Sequence, residues 1–453
     1  MKNFLSTFTA FGLAFLLTIH SAGAQSGILD GYVNEGLQNN LALKSSEMSY
    51  QKSVQALREA RGLFMPQLTF SASYTLANGG RAIQFPIGDL FNPIYATLNQ
   101  LTETQTFPTN LENVNEQFLP NNFQETKFRL IQPLFNPDIY LNYKAKKSLI
   151  SLAEAQQATY AAELEKDIRI AYFNYLKTED ALEIYRETES LLREIIRVNQ
   201  RLVDNQKATP DVVSRAEAEL ARLKEQEAQA IMQNQTAKAY FNFLLNRPLG
   251  EEIVADTLPA GTTPVAGLDQ AMSHSLIQRA ELSQLQYARE AGEYELRISK
   301  SSALPRVVAV VDAGAQGFGY TFDSNQRFWL GQVSLQWDLF KGFQNDARTQ
   351  QAEIDQAIRY NQENELQQQI QLQVQQAWYQ VQAARTAGEA AQKTEAAASI
   401  TFSQIRKRYQ ENKASLLELL DAQNQLTQAR LNRSIYNWEY YSKVAELNWA
   451  SAI

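Results

Sequence analysis

The chain has 453 residues, no cysteine, and 49 acidic against 42 basic side chains, a formal net charge of −7. Without cysteine there are no disulfides, thiol catalysis, thiolate metal centres or lipidated N-terminal cysteine, and the acidic balance leaves no basic footprint for nucleic acid. Sparse Gly and Pro, with long stretches rich in Ala, Gln, Glu and Leu, favour helix over a string of ordinary globular domains.

Residues 1–24 read as a signal peptide: Lys2, an apolar run from Phe8 to Ile19, and Ala22-Gly23-Ala24 before Gln25. An uncleaved anchor is the alternative, but the run is short for a membrane helix. An opening helix is predicted over Asp30–Arg61. The alternating stretch "QLTFSASYTL" (67–76) follows, with Leu68, Phe70, Ala72, Tyr74 and Leu76 on one face and Thr and Ser on the other. Residues 79–121 contain four prolines and many Asn, and are expected to be a long loop. A partner strand at 123–135 leads into a long helix from Asn136 to Val203, a tip, and a return helix from Asp211 to Asn246.

After the Pro/Gly/Thr linker 251–266 the order recurs. At an offset of 239, Leu29-Asp30 meets Leu268-Asp269 and Pro66 meets Pro305; at 205, Leu134-Phe135 meets Leu339-Phe340. At 206, Lys207-Ala208-Thr209 meets Lys413-Ala414-Ser415. The chain therefore reads as a tandem duplication, 25–250 and 267–453. The fall in offset (239 − 205 = 34) is the excess carried by 79–121. The second copy has an opening helix (Asp269–Lys300), strands at 307–320 and 327–340, a long helix (Phe343–Tyr409) and a return helix (Leu416–Ala450).

Each long helix carries a stripe spaced four and three. It runs Leu164, Ile168, Ala171, Tyr175 … Glu189 … Val203 in the first copy and Ile370, Val374, Ala377, Val381 … Glu395 … Tyr409 in the second. A sustained 3.5-residue period is a coiled-coil seam. Each helix of roughly 65 residues would be about 100 Å long, and the two shorter helices of each copy match it end to end. That places strands at one end and a helical tip at the other.

The strands have the length of tilted transmembrane strands, and Trp329, Trp337 and Tyr74 are candidate interface aromatics. A soluble hairpin packed on a helix also alternates. Four strands cannot close a barrel, so in lipid several chains must share one.

These residues resemble the TolC-like outer-membrane efflux proteins. The resemblance rests on the duplication, Met65-Pro66 and Leu304-Pro305 before strands, "QPLF" and "WDLF" at strand ends, and the tip "RYQENKASLLELLDAQNQLTQAR". It implies an α+β membrane protein: a periplasmic α-barrel of antiparallel coiled-coil helices with four transmembrane β-strands per protomer, closed as a trimeric twelve-stranded barrel. It also implies docking on a periplasmic adaptor (membrane fusion) protein and an inner-membrane RND or ABC pump, with outer-membrane lipid around the strands.

The alternatives are a periplasmic coiled-coil adaptor or a structural protein without a pore. An enzyme is not expected. His274 is the one histidine outside the signal peptide, and no phosphate loop, nucleophile elbow, metal cluster or cofactor motif appears.

By the resemblance, Glu418 and Asp421 fall at the acidic positions of the pore constriction. Ser415 and Glu418 also form an S-x-x-E capping box, which by itself accounts for Glu418. In the first copy Thr209 is predicted as N-cap with Pro210 at N1, and Asn412 replaces a turn glycine. Tyr409, Asn412, Ser415, Lys207, Thr209 and Pro210 make up the candidate adaptor-docking tip.

Overall fold

The computed structural model describes residues 27–255 and 265–453; the signal peptide and the middle of the linker lie outside them. Its elements are α1 (Gly27–Asn39), α2 (Leu41–Gly62), β1 (Gln67–Thr75), β2 (Ala82–Phe85), α3 (Ile87–Thr102), β3 (Val114–Gln117), β4 (Phe123–Phe135), α4 (Pro137–Asp204) and α5 (Asp211–Leu245). They continue as α6 (Leu268–Gln278), α7 (Ala280–Ser301), β5 (Arg306–Phe318), β6 (Arg327–Gln336), α8 (Gln344–Gln410) and α9 (Leu416–Ser451). The chain divides into two compact units. One comprises the residues up to Gln51, Ser151–Gln286 and Tyr360–Ile453; the other comprises Lys52–Ile150 and Tyr287–Arg359. Both contain helix, and the second holds all the strands.

In the helical unit the seam residues are the core. Leu164, Ile168, Ala171, Tyr175, Leu182 and Leu192 are buried on α4, as are Ile370, Val374, Ala377, Val381 and Ala384 on α8. Gly36 lets α1 lie close on α4, because a Cβ there would stand 2.3 Å from the Ile168 side chain. The polar seam position is resolved differently in the two copies. Glu189 binds Arg193 one turn on, whereas Glu395 binds Arg433 and Arg430 on α9.

Each opening helix is not continuous, as expected from sequence, but broken at one residue: Asn40 in the first copy and Arg279 in the second. These positions differ by 239, the offset at which the opening segments of the two halves align in sequence. Asn40 accepts from the N–H groups of Ala42 and Leu43, capping α2, and its amide donates to the Leu244 carbonyl. Arg279 donates to the Ala450 carbonyl, and Leu244 and Ala450 differ by 206. Each break therefore gives a side-chain donor to the last turn of its own return helix, whose carbonyls lack helical partners.

The strand unit contains one antiparallel sheet in the order β1-β4-β5-β6, so the central pair joins the two halves of the chain. Partners across the ladders share a face. Phe70, Phe128, Ala313 and Trp329 form one row, and Leu68, Leu130, Val311 and Gly331 the next. The opposite face carries Glu125, Lys127, Arg129 and Asp312. Arg129 and Asp312 are direct cross-strand partners joined by two hydrogen bonds of 2.8 and 2.7 Å, and Lys127 binds Glu125 at 2.6 Å.

Two expectations are corrected in this unit. Residues 79–121 are not a bare loop: β2 and β3 pair as a ribbon and α3 lies between them. Three amide pairs fasten α3. Asn92 exchanges two hydrogen bonds with the Leu111 backbone, Asn99 two with Phe107, and Asn113 two with Asp89. Trp337 is the second correction. β6 ends at Gln336, and the Trp337 indole donates to the Ala303 carbonyl at 2.9 Å, so it does not continue the strand alternation.

Candidate functional site

The two hairpin tips are built alike. After α4 and after α8 the chain turns through a left-handed residue, Gln206 (φ 57°) and Asn412 (φ 55°). Each turn closes with a pair of backbone bonds, Gln206 to Val203 and Lys207 to Leu202, then Asn412 to Tyr409 and Lys413 to Arg408. This is the helix-ending pattern in which left-handed geometry satisfies the last carbonyls, and Asn adopts it more readily than most residues.

The caps differ. Ser415 starts α9 with both arms of a capping box, its hydroxyl accepting from Glu418 N–H and Glu418 accepting from Ser415 N–H. These bonds hold the Glu418 carboxyl below the ordinary glutamate range. Thr209 does not cap α5 with its side chain, contrary to expectation. Its hydroxyl donates to the Asp211 carboxylate, and Pro210 stands at the helix start in helical geometry.

Asp421 is exposed one turn beyond Glu418 and accepts from Gln425 at 2.8 Å. Gln428 donates to Asn432 on the same stretch of α9. Just beyond Asp421 the exposed side chains of α9 are the amides Asn424, Gln425 and Gln428, while Ala422, Gln423, Leu426 and Thr427 are buried on the other side. The matching position in the first copy, Arg215, is exposed and paired with Asp211 at 3.6 Å. Thus Glu418 and Asp421 share one exposed stretch of α9 and the first tip has no counterpart of Asp421. Sequence reading did not single out Gln425, Gln428 or Asn432; their spacing of four, three and four from Asp421 was the available signal.

Among the tip residues, Lys207, Thr209, Pro210, Asn412 and Ser415 are exposed. Tyr409 is turned inward. Its hydroxyl donates to Asn199 Oδ1 at 2.6 Å, and Asn199 is fully buried and itself donates to the Ile195 carbonyl. Tyr409→Phe would leave that oxygen unpaired at a cost of about 1–3 kcal/mol. We expect a lower melting temperature of the helical unit, measured by circular dichroism, while Lys207→Ala leaves it unchanged.

Trp329 is 80 % exposed in the apolar rows of the sheet, and Tyr74 lies on the same face. The Tyr74 hydroxyl donates to Asn122 Oδ1, and its ring lies 5.5 Å from Tyr320, which in turn lies 5.3 Å from Phe322. Tyr320 and Phe322 complete an aromatic group that sequence reading missed; β5 ends at Phe318, short of the predicted 320, and both residues lie in the connection that follows. His274 is satisfied, its Nδ1–H donating to the Ser451 carbonyl at 2.9 Å. No group of metal-binding side chains occurs among the described residues.

This arrangement of two helical hairpins and a four-stranded sheet is similar to that of TolC-like outer-membrane channels. Residues 271–450 match the family model described as outer membrane efflux protein. The chain is 24% identical over 347 residues to the alkaline protease secretion protein AprF of Pseudomonas aeruginosa, covering 75% of this chain and 66% of that protein. Its fold is that of solved outer-membrane channels. The Campylobacter jejuni CmeC channel superposes with a TM-score of 0.76 at 14% identity, covering 100% of this chain and 93% of that one. VceC of Vibrio cholerae superposes with a TM-score of 0.73 at 17% identity, covering 93% and 95%.

Proposed function

We propose that the protein is the outer-membrane duct of a tripartite efflux or type I secretion assembly, passively conducting solutes delivered by a periplasmic adaptor and an inner-membrane pump. The observation that carries this reading is the sheet: one face apolar and exposed except for Arg327 at the start of β6, the other holding the pairs Arg129–Asp312 and Lys127–Glu125, and both outer edges free. An isolated adaptor or structural coiled coil has no use for an exposed apolar sheet face, whereas a barrel wall needs one.

Three copies, each giving β1-β4-β5-β6, close a twelve-stranded barrel by joining β6 of one chain to β1 of the next. The paired charges Arg129–Asp312 and Lys127–Glu125 then face the lumen. The recurrence of element order, helix break and tip turn supports a tandem duplication, and each copy supplies one hairpin to the periplasmic helical barrel. The exposed tip residues Lys207, Thr209, Pro210, Asn412 and Ser415 form the adaptor-docking rim, and Glu418 and Asp421 the constriction. Cofactors and catalytic residues have no part in this mechanism.

Planar-bilayer recording on purified protein tests the reading: stepwise conductance is expected, and a monomer without conductance would sink it. The insert 79–121 joins β1 to β4 at the sheet end away from the helices, so it should face the exterior. An epitope tag inserted at Asn110 is expected to bind antibody on intact cells. Binding confined to ruptured cells would reverse the topology.

A further inference from the structure

Where the sheet meets its helices, the strand unit contains an open cleft of about 630 Å³, within the roughly 300–1,000 Å³ range of ligand pockets. Its walls are Phe64, Leu134, Phe135, Tyr140 and Leu304, with Arg297 and Lys300 at one side. The chain order gives the cleft a direction. Leu304 lies two residues before β5, and Leu134 and Phe135 end β4, so these apolar side chains lie toward the strands. Arg297 and Lys300 sit earlier on α7, so the cations lie toward the helices.

The two cations are not equivalent. Lys300 is bound to Glu353 at 3.0 Å. Arg297 is exposed and has no carboxylate partner among the described residues; its guanidinium lies 5.4 Å from the centre of the Tyr294 ring. Around the cleft, Arg61 lies over Tyr143 at 5.7 Å and Lys144 over Tyr140 at 5.6 Å. Tyr140 and Tyr143 are of the residue type enriched at membrane–water interfaces.

A second copy does not fit as the occupant. The cleft lies at the ends of the central strands β4 and β5, whereas neighbouring copies would join at β1 and β6. Phe135 shares a row with Val307 and Leu335 on the apolar face of the sheet, so the cleft opens toward lipid. A molecule that fills it needs an apolar tail directed along the strands and an anionic head directed toward the helices. A phospholipid of the periplasmic leaflet has that polarity.

We propose that this cleft holds an anionic phospholipid of the periplasmic leaflet, with its acyl chain against Leu134, Phe135 and Leu304 and its phosphate on Arg297. The lipid would brace the point where strands pass into helices. The inference rests on the outer-membrane reading and adds to it a defined lipid site.

The test uses the full-length protein reconstituted with phosphatidylcholine and phosphatidylglycerol, re-extracted in mild detergent, and weighed by native mass spectrometry. Retained phosphatidylglycerol on the wild-type assembly, reduced about tenfold by Arg297→Gln and restored by Arg297→Lys, is the expected result. Leu134→Trp, which fills the cleft, should also release the lipid, while Arg201→Gln at the tip should not. Equal retention in wild type and Arg297→Gln overturns the site. Release of the lipid by excess inorganic phosphate overturns it too, because the head alone would then be what binds. Recovery of a lipid-free, non-membrane protein would instead refute the function on which the site rests.

Discussion

Lysine substitutions on the apolar face of the sheet should block assembly in a graded order: Val311→Lys most, Trp329→Lys less, Trp337→Lys least. Val311 lies on a central strand in the row beside Leu68, Leu130 and Gly331, with 43 % of its surface exposed although no polar group shares that row. A lysine facing lipid near mid-membrane costs roughly 2–4 kcal/mol per chain, falling to about 0–1 near an interface. A trimer would carry that cost three times.

Trp329 stands in the next row but close to Arg327, the charged residue on the same face. A lysine there can extend its ammonium toward the headgroups, so the loss is smaller. Trp337 has left the strand, and Trp337→Lys mainly gives up the indole bond to Ala303. The measurement is trimer yield in the outer-membrane fraction, by gel mobility with and without heating. Equal yields for all three would mean that this face does not meet lipid. A trimer that forms equally well in the soluble fraction would dispose of the barrel altogether.

Assembly should also be all-or-none. β1 and β6 each leave one edge without a partner in the sheet, over nine and ten residues. In lipid, unpaired backbone groups cost several kcal/mol each, so a lone four-stranded sheet has no stable membrane state. Partly assembled dimers should be absent from the membrane fraction.

The long elements were legible because a single periodicity governs each of them. The seam of α4 and α8 could be read residue by residue, since burial follows the 3.5-residue spacing through both copies. The strand at 67–75 was legible by clean alternation, and 123–135, which alternates less, as its partner. What was not legible depended on distant partners. The apolar spacing of the opening helix runs straight through Asn40, and Arg279 carries no capping signal of its own. Both breaks are stabilised by carbonyls some 170 to 200 residues away in sequence. In the insert, the prolines suggested a loop. Pro86 stands just before α3, however, and Pro93 is tolerated within it while Asn92, Asn99 and Asn113 supply hydrogen bonds across the fold. Amide pairs between residues 8 to 24 apart leave no periodic trace. At the tip, the S-x-x-E motif was sufficient to read the Ser415 cap, whereas Thr-Pro was not, because the Asp211 carboxylate competes for the threonine hydroxyl.

Conduction should depend on Asp421. In a trimer three copies of this carboxylate would stand at the narrow end of the helical barrel, between Glu418 and the exposed amides Asn424, Gln425 and Gln428. The resulting negative potential should make the channel cation-selective and subject to block by divalent or trivalent cations from the helical side. Asp421→Asn should therefore shift the reversal potential toward non-selective conduction and relieve the block. Arg215→Gln, at the matching place on the first tip, should leave the block intact because its charge is already paired with Asp211. Glu418 separates charge from structure. Gln can keep the N3 arm of the capping box, so Glu418→Gln removes the charge and spares the turn. Acid supplies a further control. A carboxyl whose folded pKa is depressed contributes stability that is complete above its unfolded value near 4.5 and lost as pH falls through the lower folded value. The second tip should thus be unaffected from neutral pH down to about 5 and loosen only below about 4. Block that disappears with Asp421→Asn but persists with Glu418→Gln would make Glu418 a cap and Asp421 the gate. Block that survives both substitutions would remove the acidic ring from the pore.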